Sequence, residues 1–199
     1  MVRGARLCLR GDILEPQSSG AAAAAALKHF GQIDLLCKNE VYQGTGNIEA
    51  LLDVAEEQLW AIYQGNVFTP LALVKAIVPS MIDRKSGTVL NMVSHSAFTD
   101  PPAAANDGGW GFAYPSSKAA LARMAASLRA EHPAKGLRVF NLEPGLVMTD
   151  VMRLAGIDDA VMARFKPLPP AAIASAAVLS PPSPSPPTPP WIASVALRT

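Results

Sequence analysis

Cysteine is scarce: Cys8 and Cys37 are the only two in 199 residues. Two thiols cannot build a disulfide framework, and both lie in apolar runs that read as strands, so they are expected to be buried and reduced in a cytosolic protein. Charge of one sign is missing too. Lys+Arg number 17 and Asp+Glu 16, which removes any electrostatic ground for nucleic acid or an anionic membrane as partner. Aromatics make up 6% of the chain. No run approaches the ~18–20 apolar residues of a membrane span; the longest uniform tract is Ala21–Leu27. Met1–Arg10 carries three arginines but neither an apolar core nor a small-residue cleavage site, so a secretory signal is not expected. Zinc-type Cys/His spacing, a Gly-x-Ser-x-Gly elbow and a Gly-Lys-Ser/Thr phosphate loop are all absent from the sequence.

What is there is 50% hydrophobic and long enough for one domain with a real core. Short apolar runs alternate with helical patterns. Ala5–Leu9, Ile33–Cys37, Thr88–Val93 and Leu137–Leu142 read as strands. Ser19–Phe30 reads as an Ala-rich helix stopped by Gly31. Asp53-Val-Ala-Glu56 has capping-box spacing and opens a long helix whose apolar positions from Leu59 to Met81 share one face, with Pro70 expected to bend it. Tyr114–Glu131 is a second strong helix with Pro115 in its first turn. This alternation predicts an α/β fold with parallel strands and right-handed crossovers. Asp100–Trp110 is a Pro/Ala/Gly loop inserted before that last helix. Ser180–Pro190 holds seven prolines in eleven residues, which excludes helix or central strand; residues 167–199 are therefore expected to form an irregular tail on a domain spanning 1–166.

Tyr114 and Lys118, in Tyr-Pro-Ser-Ser-Lys, are four residues apart and share a helix face. A free phenol has a pKa of about 10 and is a poor base at neutral pH. An ammonium beside it favours the phenolate, so the pair is expected to act as an acid/base device with a lowered phenol pKa. Ser94 lies just past a strand end, where open α/β sheets bind ligands, and can cap the strand or hydrogen-bond a substrate oxygen. His95 reads as a loop residue, because no acid stands at a telling spacing from it. Asn66 is a polar residue on the apolar helix face. Either it satisfies a kink near Pro70, or it holds a water in a site. Pro144-Gly145, with Thr149 beyond, closes the last strand.

Taken together, from about Arg6 to Arg153, these elements resemble the short-chain dehydrogenase/reductase family. The resemblance implies an incomplete Rossmann-type, doubly wound parallel sheet and hydride transfer between NAD or NADP and a small alcohol or carbonyl. It assigns Ser94, Tyr114, Lys118 and Asn66 as catalytic: Tyr114 exchanging the hydroxyl proton, Lys118 holding the nicotinamide ribose, Ser94 bonding the substrate oxygen, Asn66 holding a water that links Lys118 to solvent. Asp12, at the end of a strand, matches the residue that contacts the adenine ring, and Asn39 the surviving member of an Asn-Asn-Ala-Gly motif. Pro144, Gly145 and Thr149 match the segment that approaches the nicotinamide amide, and Tyr114 and Lys118 also count among the cofactor contacts. A homodimer or homotetramer through the helices at 53–82 and 114–131 is implied as well.

The sequence also departs from that family. The Gly-rich turn that brings a pyrophosphate to a helix N-terminus is not present, nor is the first βαβα unit that would carry it. Its loss leaves an unpaired edge beside Ile33–Cys37, into which Ala5–Leu9 is expected to slide, giving four parallel strands. The Asn-Asn-Ala-Gly position reads Lys38-Asn39-Glu40-Val41: Glu40 puts negative charge near the expected phosphates, and Val41 fills space that a glycine leaves open. Two rival expectations follow from these departures: an inactive remnant serving as a binding or oligomerisation module, and a truncated gene product without function.

Overall fold

A computed structural model of the chain describes residues 7–42, 44, 49–133, 136–145, 147 and 193–194. Its elements run α1 (Pro16–Phe30), β1 (Leu35–Lys38), α2 (Glu56–Tyr63), a π-helical turn (Gln64–Phe68), α3 (Thr69–Asp83), β2 (Gly87–Met92), α4 (Ala113–Glu131), β3 (Leu137–Glu143) and β4 (Ala193–Ser194). The four strands form one parallel sheet in the order β1-β2-β3-β4. This is the α/β architecture with parallel strands that the alternation predicts, in the Rossmann-like form that the resemblance implies.

Four parallel strands were expected, but one member differs. Leu7–Leu9 form no strand and are exposed; the fourth strand is instead the short β4 beside β3. Lone apolar residues without a paired neighbour gain no ladder hydrogen bonds, so strand propensity at 7–9 is not enough. β4 comes from the apolar stretch after the proline tract; the tract itself lies outside the described residues. β1 therefore stays an edge of this sheet, where Ala5–Leu9 was expected to pair with it.

Local signals explain the helix ends. Pro16 starts α1, where its missing N–H is no loss, and Gly31 at φ 79° closes it by donating to the carbonyl of Leu27. The long helix begins later than the spacing at Asp53 suggests. Ala55 is its N-cap, and Gln58 Oε1 accepts the Ala55 N–H at 3.0 Å. Pro70 does interrupt it, as a π turn rather than a bend: Thr69 N–H reaches back five residues to the carbonyl of Gln64. Pro70 has no N–H for the carbonyl of Asn66, so the backbone widens by one residue.

By length and composition Glu56–Asp83 would suffice to cross a membrane, which corrects the expectation that no stretch comes near this. It is a core helix: Val74, Ile77, Val78 and Met81 are buried in the main hydrophobic cluster. That cluster also holds Ala23 of α1, Ala125 of α4, and Leu36, Val89 and Val139, which lie in register across β1, β2 and β3. Helices α1, α3 and α4 thus pack one sheet face. On the other face Leu90 and Leu142 are buried, but Leu35 and Cys37 are exposed. The expectation of two buried thiols fails for this reason. Cys37 alternates onto the uncovered face of an edge strand, and Cys8 sits in the exposed 7–10 segment.

Two residues beyond the apolar row, on the same face, lies a polar row in register: Lys38, Asn91 and Asn141, all buried. Each clasps α4. Lys38 Nζ lies 3.2 Å from Met124 Sδ, Asn91 Nδ2 donates to the carbonyl of Leu121 at 3.1 Å, and Asn141 Nδ2 to that of Ala122 at 3.1 Å. Asn91 also donates to Asn141 Oδ1 at 3.0 Å. This ladder fixes α4 over the sheet and holds its N-terminus at the carboxyl ends of the strands.

Candidate active site

At that rim the side chains singled out in the sequence converge. Ser94 follows β2 and caps the short 3-10 turn His95–Ala97, while Tyr114 stands in the first turn of α4. The Ser94 hydroxyl acts on the Tyr114 phenol, drawing its pKa down. Lys118, one turn on, places Nζ 5.8 Å from the Tyr114 ring centre and donates to the carbonyl of Met92 at 3.1 Å. Ser94 Oγ also lies 3.0 Å from Ser96 Oγ.

Asn66 joins the group through α4. Its Nδ2 donates to Ser117 Oγ at 3.1 Å, and Ser117 Oγ donates to the carbonyl of Tyr114 at 2.7 Å. Its Oδ1 accepts the Tyr42 N–H at 2.7 Å. Among the described residues the Asn66 amide bonds no backbone group of the kink near Pro70; it ties the π turn to the loop after β1 and, through Ser117, to the backbone of Tyr114. Both amide ends are used in a residue only 1% exposed, which meets the cost of burying it.

The phenol departs from expectation. Burial pushes the Tyr114 pKa up, and the Ser94 hydroxyl offsets this only in part. Lys118 lies against the ring and spends a donor on Met92, and burial of the phenol is the larger cause of its shift. Lys118 is itself lowered to about 8 by burial, with the Glu40 carboxylate pulling the other way. Lys38 is lowered to about 8 by the same pair of effects. Glu40 is therefore the counter-charge to two buried ammonium groups, and one of its carboxylate oxygens is buried without a hydrogen-bond partner.

The residues expected around a cofactor lie more openly. Asn39 is exposed at the end of β1, Pro144 is half-buried, and Gly145 is exposed at φ 68°. Asp12 is exposed, and its Oδ1 accepts the Leu14 N–H at 2.8 Å, closing a turn before α1. Thr149 lies outside the described residues.

Sequence reasoning overlooked several groups. His95 does meet an acid: its Nδ1 is 3.4 Å from Glu143 Oε1. That acid is 48 positions away and becomes a neighbour only because β2 and β3 pair. Ser117 and Ser96 were accessible signals, being three residues from Tyr114 on a helix and two from Ser94. The buried ammonium of Lys38 gave no signal beyond the alternation of its strand.

A family model described as short chain dehydrogenase matches residues 3–159. The chain belongs to the short-chain dehydrogenase family. A short chain dehydrogenase of Pseudocercospora fijiensis is 32% identical over 160 residues, which are 79% of this chain and 48% of that protein. Among solved structures, a short-chain dehydrogenase from Streptomyces avermitilis superposes with a TM-score of 0.69 at 25% identity, covering 86% of this chain and 64% of the other. A 7α-hydroxysteroid dehydrogenase, complexed with NADH and 7-oxo glycochenodeoxycholic acid, shares the fold with a TM-score of 0.71 at 24% identity over 85% of this chain and 65% of its own. The chain thus spans about half the length of its curated relative and about two thirds of these structures. In this member of the short-chain dehydrogenase family the Lys118 ammonium lies 5.8 Å from the Tyr114 ring centre, and the Ser94 hydroxyl acts on the same phenol.

Proposed function

We propose that the rim formed by Ser94, Tyr114 and Lys118 interconverts an alcohol and a carbonyl compound with NAD or NADP as hydride carrier. The observation that carries this reading is the buried Lys118 ammonium 5.8 Å from the centre of the Tyr114 ring, with the Ser94 hydroxyl acting on the same phenol.

The donor set suits the nicotinamide-ribose end of a dinucleotide. An ammonium has three N–H donors; Lys118 gives one to Met92, which leaves donors for ribose hydroxyls. The bound dinucleotide supplies or takes up the hydride. The chain's own residues manage the oxygen and its proton. A phenol held above its ordinary pKa keeps its proton at neutral pH, so Tyr114 is ready to donate to a carbonyl oxygen as that oxygen gains charge. Ser94 provides a second hydroxyl to the same oxygen, and Ser96 fixes its orientation. Asn66, through Ser117, holds the α4 backbone at Tyr114 and so sets the height of the phenol over the rim.

The reading includes self-association through α2 to α4, supported by Trp60, 63% exposed, with its ring 6.3 Å from that of the exposed Phe68. It also includes a cytoplasmic setting, supported by two exposed free thiols that a reducing compartment keeps unpaired.

The test is a titration of the chain with NADH and NADPH followed by tryptophan emission, together with a screen for carbonyl reduction. Quenching that Lys118→Ala weakens, and turnover that Tyr114→Phe removes, are the expected results. No quenching by either nucleotide at millimolar concentration overturns the reading.

A further inference from the structure

Lys38 is a buried charge that the mechanism above does not use. It ends β1, is 1% exposed, and lies in register with Asn91 of β2. Its companions in the polar row find oxygen on α4: Asn91 the carbonyl of Leu121, Asn141 that of Ala122. Lys38 finds sulfur. Among the described residues the hydrogen-bond partner of its Nζ is Met124 Sδ, at 3.2 Å. A thioether is a weak acceptor, and an ammonium has three protons to place. The closest counter-charge is the Glu40 carboxylate from the loop after β1.

Met124 meets this charge from α4, the helix that carries Tyr114 and Lys118. It borders the main hydrophobic cluster but is half-buried, unlike the sealed Met81, so the packing leaves it open to an oxidant as small as hydrogen peroxide. Two properties of the pair favour that reaction. The first is kinetic. Attack by the sulfur lone pair on peroxide expels hydroxide, and a proton given to the departing oxygen lowers the barrier. Burial lowers Lys38 to about 8, so at neutral pH the ammonium is charged and yields a proton readily. The second is thermodynamic. The sulfoxide oxygen is a far better acceptor than the sulfide it replaces, and it forms beside a cation that lacks an oxygen partner.

We propose that Met124 is a modification site for peroxide, and that its sulfoxide locks α4 to β1 through Lys38. Thioether and hydrogen peroxide give sulfoxide and water. The sulfur supplies the electron pair of the new S–O bond and is oxidised; the peroxide O–O bond breaks and is reduced. Lys38 protonates the departing hydroxide, and the hydroxyl left on sulfur returns its proton to the Lys38 amine. Methionine oxidation ordinarily forces a polar atom into apolar packing. Here the outcome is inverted, because the new oxygen lands on an unsatisfied ammonium. The lock is independent of the alcohol–carbonyl reading.

The full chain is treated with hydrogen peroxide at pH 7 and digested with trypsin, which isolates Met124 in the peptide 124–129 and Met92 in 86–118. Met124 should gain one oxygen about tenfold faster than in the Lys38→Leu variant, a modest general-acid effect, while the rate at Met92 stays the same. At the exposure that oxidises only the 124–129 peptide, the melting temperature should rise by about 2–4 °C, the shift for about one added bond to a charge in a chain of this size. A methionine sulfoxide reductase with dithiothreitol should reverse the rise, and Met124→Leu should abolish it. Met124→Gln, whose amide oxygen stands in for the sulfoxide, should raise the melting temperature without peroxide and lose that gain in the Lys38→Leu background. A Met124 rate that Lys38→Leu leaves unchanged overturns the proposal. So does an oxidised chain that melts no higher than the reduced one, or a Met124→Gln gain that survives without Lys38.

Discussion

Leu35 and Leu36 are neighbours on β1, yet Leu35 is 50% exposed and Leu36 8%. The alternation of a strand sends them to opposite faces, and the faces differ in what covers them. On one, α1, α3 and α4 close over Leu36, Val89 and Val139. On the other, Leu90 and Leu142 pack with Met92, Phe140 and Val147, while Leu35 and Cys37 stay open. The helix-covered face carries the core, and its last row, Lys38, Asn91 and Asn141, carries α4 and with it Tyr114 and Lys118. Stability and chemistry therefore share one face. The opposite face is the place where substitutions should be felt least.

The largest contrast should appear in catalysis. Tyr114→Phe, at the rim of the covered face, is expected to lower kcat by about 10²–10⁴, the range for losing a positioned acid, whereas Cys37→Ser on the open face should leave it unchanged; steady-state rates at saturating substrate decide this. Next comes the core. Met81→Ala, at a fully buried position, should cost roughly 2–5 kcal/mol in urea unfolding. Leu35→Ser, on the open face, should stay within about 0.5 kcal/mol, as for surface changes. Equal losses at the two sites would dissolve the distinction between the faces.

The polar row sharpens the comparison from within the covered face. Lys38 and Lys118 have folded pKa values lowered to about 8 from 10.5. A lowered base binds fewer protons folded than unfolded between those values, so the stability penalty is full below about pH 8 and lifts as pH rises toward 10.5. Stability measured across that window should climb. Lys38→Met, which keeps the bulk and removes the charge, should raise stability at pH 7 by roughly 1–3 kcal/mol and flatten the climb. A lower stability for this variant would mean that the ammonium is better satisfied than its contact with Met124 implies. The smallest effect is on a pH profile. Glu40 raises Lys118, so Glu40→Gln should move the alkaline limb of the activity profile to lower pH with little change in its plateau.

The sequence made much of the covered face legible. The period of α3 from Leu73 to Met81 gave its buried side, and Tyr114 with Lys118 gave a pair that is indeed adjacent. Ser94 at a strand end gave the third member. It misjudged Cys37 because an apolar run of five residues says nothing about which face is covered. It misjudged the phenol because a nearby ammonium can be counted from spacing, whereas desolvation depends on everything packed around the ring. Leu7–Leu9 and Ala193–Ser194 show the same limit for strands: a short apolar run becomes a strand only where a neighbour offers a free ladder.

Local order was therefore written in the chain itself. Helix starts and stops at Pro16, Gly31 and Pro70, the alternation of β2 and β3, and a phenol four residues from an ammonium all follow from bonding and sterics within a few residues. What needed the tertiary structure was every effect that depends on distant segments meeting: the register of Lys38, Asn91 and Asn141, the reach of Glu143 to His95, the bond from Asn66 to Ser117, and the contact of Lys38 with Met124. Burial and dielectric surroundings are sums over all neighbours, and the neighbours are fixed only when the sheet pairs and the helices pack.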